Sequence, residues 1–296
     1  MAGEAKASGK AILLGEHAVV HGVPALAISI GQGARASARL APTAALQVRD
    51  KAGSWEIEKD SDLDRAFHAL VKEVGVIADV HAHVDIPTRA GLGSSACLGV
   101  ALARALLTCR GEPFDAPRVM QAAMVWERVF HGNPSGVDVA VAVQGGCIEY
   151  SRSTGATPVP LAQPIPLCIG DTGDRSCTRQ MVQRVSLVLD RQFDGGRHGL
   201  EAIRSCVETA RKALVTADWQ GVANAMHDNQ QWLVDLGLNT PNSDKLCEIA
   251  LAAGALAAKI TGAGGGGCVI ALAPRRQQEV LDAWRASGFE AFAIHP

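Results

Sequence analysis

The chain has 296 residues, of which 48% are hydrophobic and 20% are charged, and its formal net charge is -2 at pH 7. This length supports one large or two ordinary domains, and the near-neutral charge argues against a nucleic-acid-binding protein, which usually carries a basic stripe or tail. Arg, Lys or Gly interrupts each long apolar stretch before the roughly 18 residues that a bilayer span requires, so we expect no membrane segment.

Strand and helix patterns mix along the chain without strict alternation, which predicts an α+β fold. In the first half we expect strands at 11–14, 25–30, 81–86 and 147–150 and helices at 62–75, 95–108, 117–130 and from about 134. In the second half we expect strands at 167–170, 257–260, 268–272 and 290–294 and helices at 179–189, 200–214, 219–236, 243–252 and 277–287. A polar, proline-rich stretch between Ser151 and Pro166 predicts a boundary between domains 1–155 and 156–296.

The N-terminus and the cysteines indicate a cytoplasmic protein. The chain begins Met-Ala-Gly-Glu-Ala-Lys and continues directly into a strand pattern, which is not the pattern of a signal peptide. Its eight cysteines are scattered without a pair at metal-ligand spacing, and most lie in apolar segments. They are typical of reduced core residues.

A glycine-rich loop, Pro87-Thr-Arg-Ala-Gly-Leu-Gly-Ser-Ser-Ala96, precedes an apolar helix. Glycines let the backbone approach a ligand closely, and the unpaired N–H groups at the positive end of a helix favour an anion. We therefore expect a phosphate there. A second glycine cluster, Gly262 to Gly267, lies between two apolar runs, and two such loops suggest a nucleotide held between two halves of the chain.

Other phosphate-binding motifs fit the context less well. Both glycine loops match the dinucleotide fingerprint, but the strand before Gly91 alternates polar and apolar residues, and a strand rather than a helix follows Gly262. The segment around Lys10 has one residue too many for a P-loop and no Ser or Thr after the lysine. The polar face of the strand before Gly91, with His81 and His83, lacks the further ligands of a zinc site, so we expect it to be solvated.

Two carboxylates flank a chain break. On one continuous helix Glu127 and Asp138 would be roughly 16 Å apart, at about 1.5 Å per residue. Asn133 is a good N-cap and Pro134 a good first helical residue, which predicts a new helix with Asp138 in its early turns. A chain reversal there can bring both acids to one centre, while an ordinary helix corner with solvated acids is the open alternative.

Polar residues also flank the first apolar strand. Lys10 precedes it, and Glu16 and His17 follow it at once. Burying such groups is costly unless they face a ligand or each other. A surface lysine and a plain turn at the strand end are the alternative.

Four motifs together resemble those of the GHMP kinase superfamily. They are Ser8-Gly9-Lys10 with Gly15-Glu16-His17-Ala18-Val19-Val20, then Gly91-Leu92-Gly93-Ser94-Ser95-Ala96, His131-Gly132-Asn133-Pro134-Ser135-Gly136-Val137-Asp138 and Lys259-Ile260-Thr261-Gly262-Ala263-Gly264-Gly265-Gly266-Gly267. The first and third are similar to those of the mevalonate kinase family within it. The resemblance covers nearly the whole chain, although Ser8 stands where the family usually has proline.

The resemblance implies a fold, a reaction and a set of site residues. The fold is an N-terminal ribosomal-protein-S5-like domain and a C-terminal ferredoxin-like domain, with ATP and substrate in the cleft between them. The reaction is transfer of a phosphoryl group from ATP, with Mg²⁺, to the primary (5-) hydroxyl of mevalonate. Asp138 is the base and Lys10 lowers the pKa of that hydroxyl, while Ser95 and Glu127 hold Mg²⁺. The phosphates are wrapped by Arg89, Ala90, Gly91, Leu92, Gly93, Ser94 and Ser95.

The resemblance also implies the substrate contacts, which are Glu16, His17, Thr178, Gly262 and Gly264. Because arginine matches both oxygens of a carboxylate, we expect Arg175 or Arg179, assisted by Thr178, to bind the carboxylate of mevalonate. Other small-molecule GHMP kinases, for a sugar, homoserine or a related isoprenoid acid, and a nucleotide-binding relative without turnover are the rival functions. We expect no nucleic-acid or membrane partner, and the sequence leaves both a monomer and a homodimer open.

Overall fold

The structure is a computed structural model that describes residues 2–50, 53–191 and 193–294. It divides into two compact units, each built from separate stretches of the chain. The first unit comprises Met1–Lys10, Ser29–Thr88 and Gly93–Gly145, and the second comprises Ala11–Ile28, Arg89–Leu92 and Gly146–Pro296. The division of the sequence at 155/156 stays a prediction.

Two long strands, β1 (Ala2–Leu14) and β2 (Ala25–Leu40), contribute to both units. The other elements of the first unit are β3 (Ala45–Asp50), β4 (Gly53–Glu56), α1 (Asp62–Val74), β5 (Ala78–Val84), α2 (Ser94–Arg110), α3 (Ala116–His131) and α4 (Val137–Gln144). Its strand order is β4-β3-β5-β2, with β1 paired to β2. Strands β3 and β5 run parallel, whereas β2 and β5 are antiparallel, with Ala34 opposite Val84.

Helix α2 is the central helix of the first unit. Twelve of its residues are buried, and it packs against both α3 and α4. Gly99 permits the contact with α3, because a Cβ at this position would lie 2.5 Å from a ring carbon of the fully buried Trp126. Helix α1 has a single apolar face with Phe67 and Leu70 and packs against α3.

The second unit contains β6 (Cys147–Ser151), β7 (Gly155–Pro158), β8 (Leu167–Asp171), α5 (Thr178–Arg191), α6 (Phe193–Thr216), α7 (Trp219–Asp235), α8 (Pro241–Ala252), β9 (Ala257–Thr261), β10 (Cys268–Leu272), α9 (Gln277–Ala286) and β11 (Glu290–Ala293). The four-stranded antiparallel sheet of this unit has the order β11-β8-β10-β9. Helices α8 and α9 cover it over a core that includes Leu246, Val269 and Trp284. The first residues of β2, Ala25 to Ile28, pair with β6, which pairs in turn with β7.

The predicted α+β class is confirmed, and most predicted helices and strands are present. The sequence patterns missed β3, β4 and β7 and underestimated the lengths of β1 and β2. The predicted helix start at Pro134 is wrong, because α4 begins at Val137 with Gly136 as its N-cap. Gly132 and Gly136 both have positive φ, 68° and 91°, so the Asn133–Pro134 segment between them forms a turn before the helix.

Within the described part of the chain, no helix is long and apolar enough to cross a membrane.

Candidate active site

A lysine and an aspartate form an ion pair in the first unit. The Nζ atom of Lys10 lies 3.2 Å from Oδ1 of Asp138, and the lysine is buried whereas the aspartate is 34% exposed. Asp138 lies in the first turn of α4, as predicted. Gly93 of the first glycine loop is adjacent, since a Cβ there would lie 3.1 Å from Cγ of Lys10 and 3.8 Å from Cβ of Asp138. The ion pair therefore combines a buried cation with a carboxylate that solvent or substrate can reach.

A hydroxyl at the start of α2 contacts a second carboxylate, which lies on α3. The Oγ of Ser95 donates a hydrogen bond of 2.5 Å to Oε1 of Glu127, which is buried on α3. One turn later, Nε2 of His131 lies 3.5 Å from Oε2 of Glu127. The indole N–H of Trp126 donates to the carbonyl of Ser95, which connects the same two helices a second time.

Burial raises the pKa of Glu127 to about 7. The hydrogen bond from Ser95 opposes this rise in pKa, the charge of Asp138 adds to it, and the charge of Lys10 again opposes it. The charges of both members of the Lys10–Asp138 pair therefore affect the pKa of Glu127. A buried carboxylate whose charged form lacks full compensation favours a bound cation.

The donors present fit Mg²⁺. This ion prefers hard oxygen ligands and is usually held by one or two carboxylates, waters and phosphate oxygens rather than by an all-protein cage. Ser95 and Glu127 offer a hydroxyl and a carboxylate 2.5 Å apart. Among the residues that the structure describes, no group of three or more His, Cys, Asp or Glu forms a cage of its own.

The N-terminus of α2 has the features of an anion site. Its N-cap, Gly93, has a φ of 71° and makes no side-chain cap, and the first turn contains no acidic residue. The helix has 17 residues, and its macrodipole places a partial positive charge at the N–H groups of the first turn.

In the second unit the two glycine loops meet backbone to backbone. A Cβ at Gly91 would lie 2.7 Å from the carbonyl oxygen of Thr261, and one at Gly267 would lie 2.7 Å from that of Ala90. Both glycines have positive φ, so other residues would be disfavoured there on two grounds. Ala90 and Leu92 are buried, whereas Arg89 is exposed.

The turn that follows β1 carries Glu16 and His17. Glu16 is buried and accepts hydrogen bonds from Nζ of Lys259 and, at 3.4 Å, from Nδ2 of Asn229. His17 has a φ of 57°, and its Nε2 lies 2.8 Å from the carbonyl oxygen of Ala263 in the second glycine loop. Burial lowers the pKa of His17. The hydrogen bond with Ala263 opposes this lowering, whereas the charge of His21 adds to it, so the ring favours its neutral form.

The two arginines expected to bind the carboxylate lie in the loop between β8 and α5, Arg175, and in the first turn of α5, Arg179. Arg175 makes a bidentate pair with the buried Asp171, at 2.7 and 2.9 Å, and this pair raises the pKa of Arg175. The hydroxyl of Ser176 donates a hydrogen bond of 2.6 Å to the carbonyl oxygen of Gly264, so the same loop supports the second glycine loop. Thr178 and Arg179 are exposed in the first turn of α5.

Two residues of these clusters, Lys259 and Asn229, are not among the predicted site residues. Lys259 stands in the otherwise apolar run 257–260, and a lysine in such a run is the signal that could have indicated a buried ion pair. Asn229 gives no comparable signal, since helix α7 contains several polar residues. The histidines at 81 and 83 pair with the neighbouring acids Asp79 and Asp85 on the strand surface.

Comparisons with known proteins identify the family. Residues 62–146 match the model for the GHMP kinases N terminal domain, and residues 210–290 match the model for the GHMP kinases C terminal. A mevalonate kinase from Aeropyrum pernix is 33% identical over 92% of this chain and 88% of its own length.

Solved structures share the fold. The L. major mevalonate kinase in complex with R-mevalonate is 25% identical, with a TM-score of 0.87 over 99% of this chain and 96% of that chain. The Lactococcus lactis galactokinase complexed with galactose is 21% identical, with a TM-score of 0.78 over 99% of this chain and 92% of that chain. The fold is thus common to kinases of different alcohols, while the sequence relatives favour one of them. The chain belongs to the GHMP kinase family, in its mevalonate kinase branch.

Proposed function

We propose that this chain catalyses the ATP-dependent phosphorylation of the primary (5-) hydroxyl of mevalonate to give 5-phosphomevalonate. The family uses ATP, and the curated relative and the structural neighbour named above carry the substrate in their names. The observation that carries the chemistry is the Lys10–Asp138 pair beside Gly93 of the phosphate loop.

Asp138 is the base of this reaction. The hydroxyl oxygen forms a bond to the γ-phosphorus, the bond from that phosphorus to the β,γ-bridging oxygen breaks, and the hydroxyl proton passes to the Asp138 carboxylate. Lys10 keeps that carboxylate oriented and stabilises negative charge on the oxygen and on the transferring phosphoryl group. Positioning and charge neutralisation of this kind supply most of the rate enhancement in phosphoryl transfer.

Ser95 and Glu127 would hold Mg²⁺ in this proposal. A bound Mg²⁺ would neutralise the negative charge that develops during phosphoryl transfer. The ionised form of Glu127 would be the ligand, and its hydrogen bond from Ser95 places both donors at one point. Trp126 and the packing of α2 on α3 keep these donors in place.

We assign the phosphates to backbone groups of residues 89–95 and to the N-terminus of α2, and we assign Gly262 and Gly264 to the substrate. On the substrate side we assign the neutral ring of His17 to a hydroxyl of mevalonate and Thr178 to the reacting region. The carboxylate is assigned to an arginine of the β8–α5 loop or of the first turn of α5.

A coupled assay of ADP release with a panel of alcohols tests this function. With ATP and Mg²⁺ present, we expect kcat/KM for mevalonate to exceed those for galactose, homoserine and phosphomevalonate by at least about 100-fold. Galactose lacks the carboxylate that the site is proposed to bind, homoserine carries an ammonium group that mevalonate lacks, and phosphomevalonate has no free primary hydroxyl. Phosphorus NMR of the product identifies a primary phosphate ester by its coupling to two protons. The proposal would be rejected if the chain preferred a different alcohol to mevalonate or if it phosphorylated none of them.

The cytoplasmic location stays a prediction, and the oligomeric state stays open between a monomer and a homodimer. Light scattering on the purified chain measures the second directly.

A further inference from the structure

Glu16 is placed where a substrate has little access to its carboxylate. Its side chain is fully buried, as is that of Lys259, and the two form an ion pair. The second carboxylate oxygen accepts a hydrogen bond from Asn229, which is also fully buried. The ammonium group of Lys259 donates in addition to the carbonyl of Ile260 at 2.6 Å. Both carboxylate oxygens are therefore occupied by protein donors.

Such a buried ion pair is a weak source of stability, because removing two charges from water offsets most of their attraction. The pair instead fixes the position of the Glu16 carboxylate. Lys259 lies on β9 and Asn229 on α7, so the carboxylate of Glu16 is held from two elements at once. We call Glu16, Lys259 and Asn229 the buried clamp.

The buried clamp holds a strained turn. Asn229 accepts the backbone N–H of Gly15 at 2.9 Å, and Thr261 accepts the N–H of Ile12 and donates to its carbonyl. The next residue after Glu16, His17, has a φ of 57°, in the left-handed region that disfavours residues other than glycine. A backbone in this region persists only where surrounding contacts impose it.

We propose that Lys259 and Asn229 are positioning residues that set the His17 ring toward mevalonate. Glu16 then acts as the buried counter-ion of Lys259 and as the hydrogen-bond acceptor of Asn229 rather than as a direct substrate contact. This inference rests on the proposed function. It reassigns Glu16, which the family resemblance counts among the residues that contact the substrate.

A double-mutant cycle between Glu16→Gln and Lys259→Met separates the two roles of Glu16. Lys259→Met leaves a buried carboxylate without its cation and should raise KM for mevalonate at least about 10-fold. Adding Glu16→Gln removes that charge and keeps an oxygen for Asn229, so KM should fall at least about fivefold from the Lys259→Met value. If Glu16 contacts mevalonate directly, the double variant instead binds no better than the worse single variant, and the inference is overturned.

A matched pair on α7 keeps the inference testable if Lys259→Met does not fold. Asn229→Leu removes the clamp amide, whereas Gln230→Leu removes a neighbouring side chain that accepts the N–H of Ile260, on β9, at 2.9 Å. Asn229→Leu loses the two hydrogen bonds of this residue with Gly15 and Glu16, and Gln230→Leu loses the one with Ile260. We expect KM for mevalonate to rise several-fold in Asn229→Leu only, and equal effects would show a merely structural role.

A readout that is independent of turnover distinguishes failure of this inference from failure of the proposed function. The NMR signals of the His17 ring, assigned through their loss in His17→Gln, should shift in Asn229→Leu and stay unchanged in Gln230→Leu. Unchanged His17 signals in both variants would overturn the clamp even in an active mevalonate kinase. If the His17 signals shift in Asn229→Leu but the wild-type chain does not phosphorylate mevalonate, the proposed function is rejected and the positioning role of the buried clamp is retained.

Discussion

At the scale of single residues, Asp138 gives the sharpest prediction. Asp138→Asn keeps the size of the side chain but removes the proton acceptor, so we expect kcat to fall about 10²–10⁴-fold, the usual contribution of a general base. Because we assign ATP to residues 89–95 and the N-terminus of α2, we expect KM for ATP to change less than about threefold. Steady-state kinetics measure both quantities.

The matched control is Asp62→Asn, which changes another first-turn aspartate, on α1. Its kcat should equal that of the wild type. A normal kcat in Asp138→Asn would remove this residue from the mechanism.

Ser95 and Glu127 predict the metal dependence. Ser95→Ala and Glu127→Gln should each raise the Mg²⁺ concentration needed for half-maximal activity, by at least about 10-fold for the carboxylate, since it supplies the charged ligand. Direct Mn²⁺ titration followed by electron paramagnetic resonance, with ADP present, gives the same comparison without turnover. Unchanged titrations in both variants would exclude them as ligands.

The pKa of Glu127 predicts how stability depends on pH. In the absence of metal, burial raises this pKa from 4.5 to about 7, which corresponds to about 3 kcal/mol. The folded state then holds a proton that the unfolded state releases. The favourable contribution is complete below pH 4.5 and is lost as the pH rises toward about 7.

Urea unfolding at a series of pH values measures this effect. The difference in free energy of unfolding between the wild type and Glu127→Gln isolates Glu127 from the other acids. We expect the wild type to lose stability relative to the variant between pH 4.5 and 7. A constant difference across that range would contradict the raised pKa.

At the scale of elements, the contact between α2 and α3 depends on Gly99. Alanine normally stabilises a helix interior by about 1 kcal/mol relative to glycine. Here its Cβ would lie 2.5 Å from the ring of Trp126, and such overpacking costs about 1–3 kcal/mol. Gly99→Ala should therefore lower Tm, as calorimetry would measure.

A second variant tests the cause of that loss. In a Trp126→Leu background the ring is absent, so the further change Gly99→Ala should no longer destabilise. If Gly99→Ala raised Tm in the wild-type background, the packing of these helices would differ from that described.

The loop between β8 and α5 predicts which arginine binds the carboxylate. Arg175 is already bidentate on Asp171, so Arg175→Met should mainly lower Tm by leaving that buried carboxylate without its partner. Arg179→Met should raise KM for mevalonate several-fold, and Arg179→Lys should restore little of it, since lysine lacks the planar fork. If neither methionine variant changes KM, the carboxylate is bound elsewhere.

Element positions were predictable where the signal is local. Helix periodicity, the glycine loop before α2 and the position of Asp138 in an early turn all depend on neighbouring residues. Strands β3, β4 and β7 were not predictable in this way, because their stability comes from cross-strand partners such as those of β3 with β5. The start of α4 was misplaced because the positive φ of Gly136 overrides the capping preference of Asn133.

At the scale of the whole molecule, the α+β class and the two glycine loops follow from composition, local periodicity and the order of motifs, which a single chain displays directly. The motifs also resemble one family, and that resemblance implies the use of ATP. Which polar residues meet depends on the tertiary structure. Glu16 and Lys259 are 243 positions apart, and Glu16 and Asn229 are 213 apart, so no local pattern indicates that they form one buried cluster. Burial and charge compensation arise from such distant contacts, and they determine whether a carboxylate such as Glu16 or Glu127 is held by the protein or is available to a ligand.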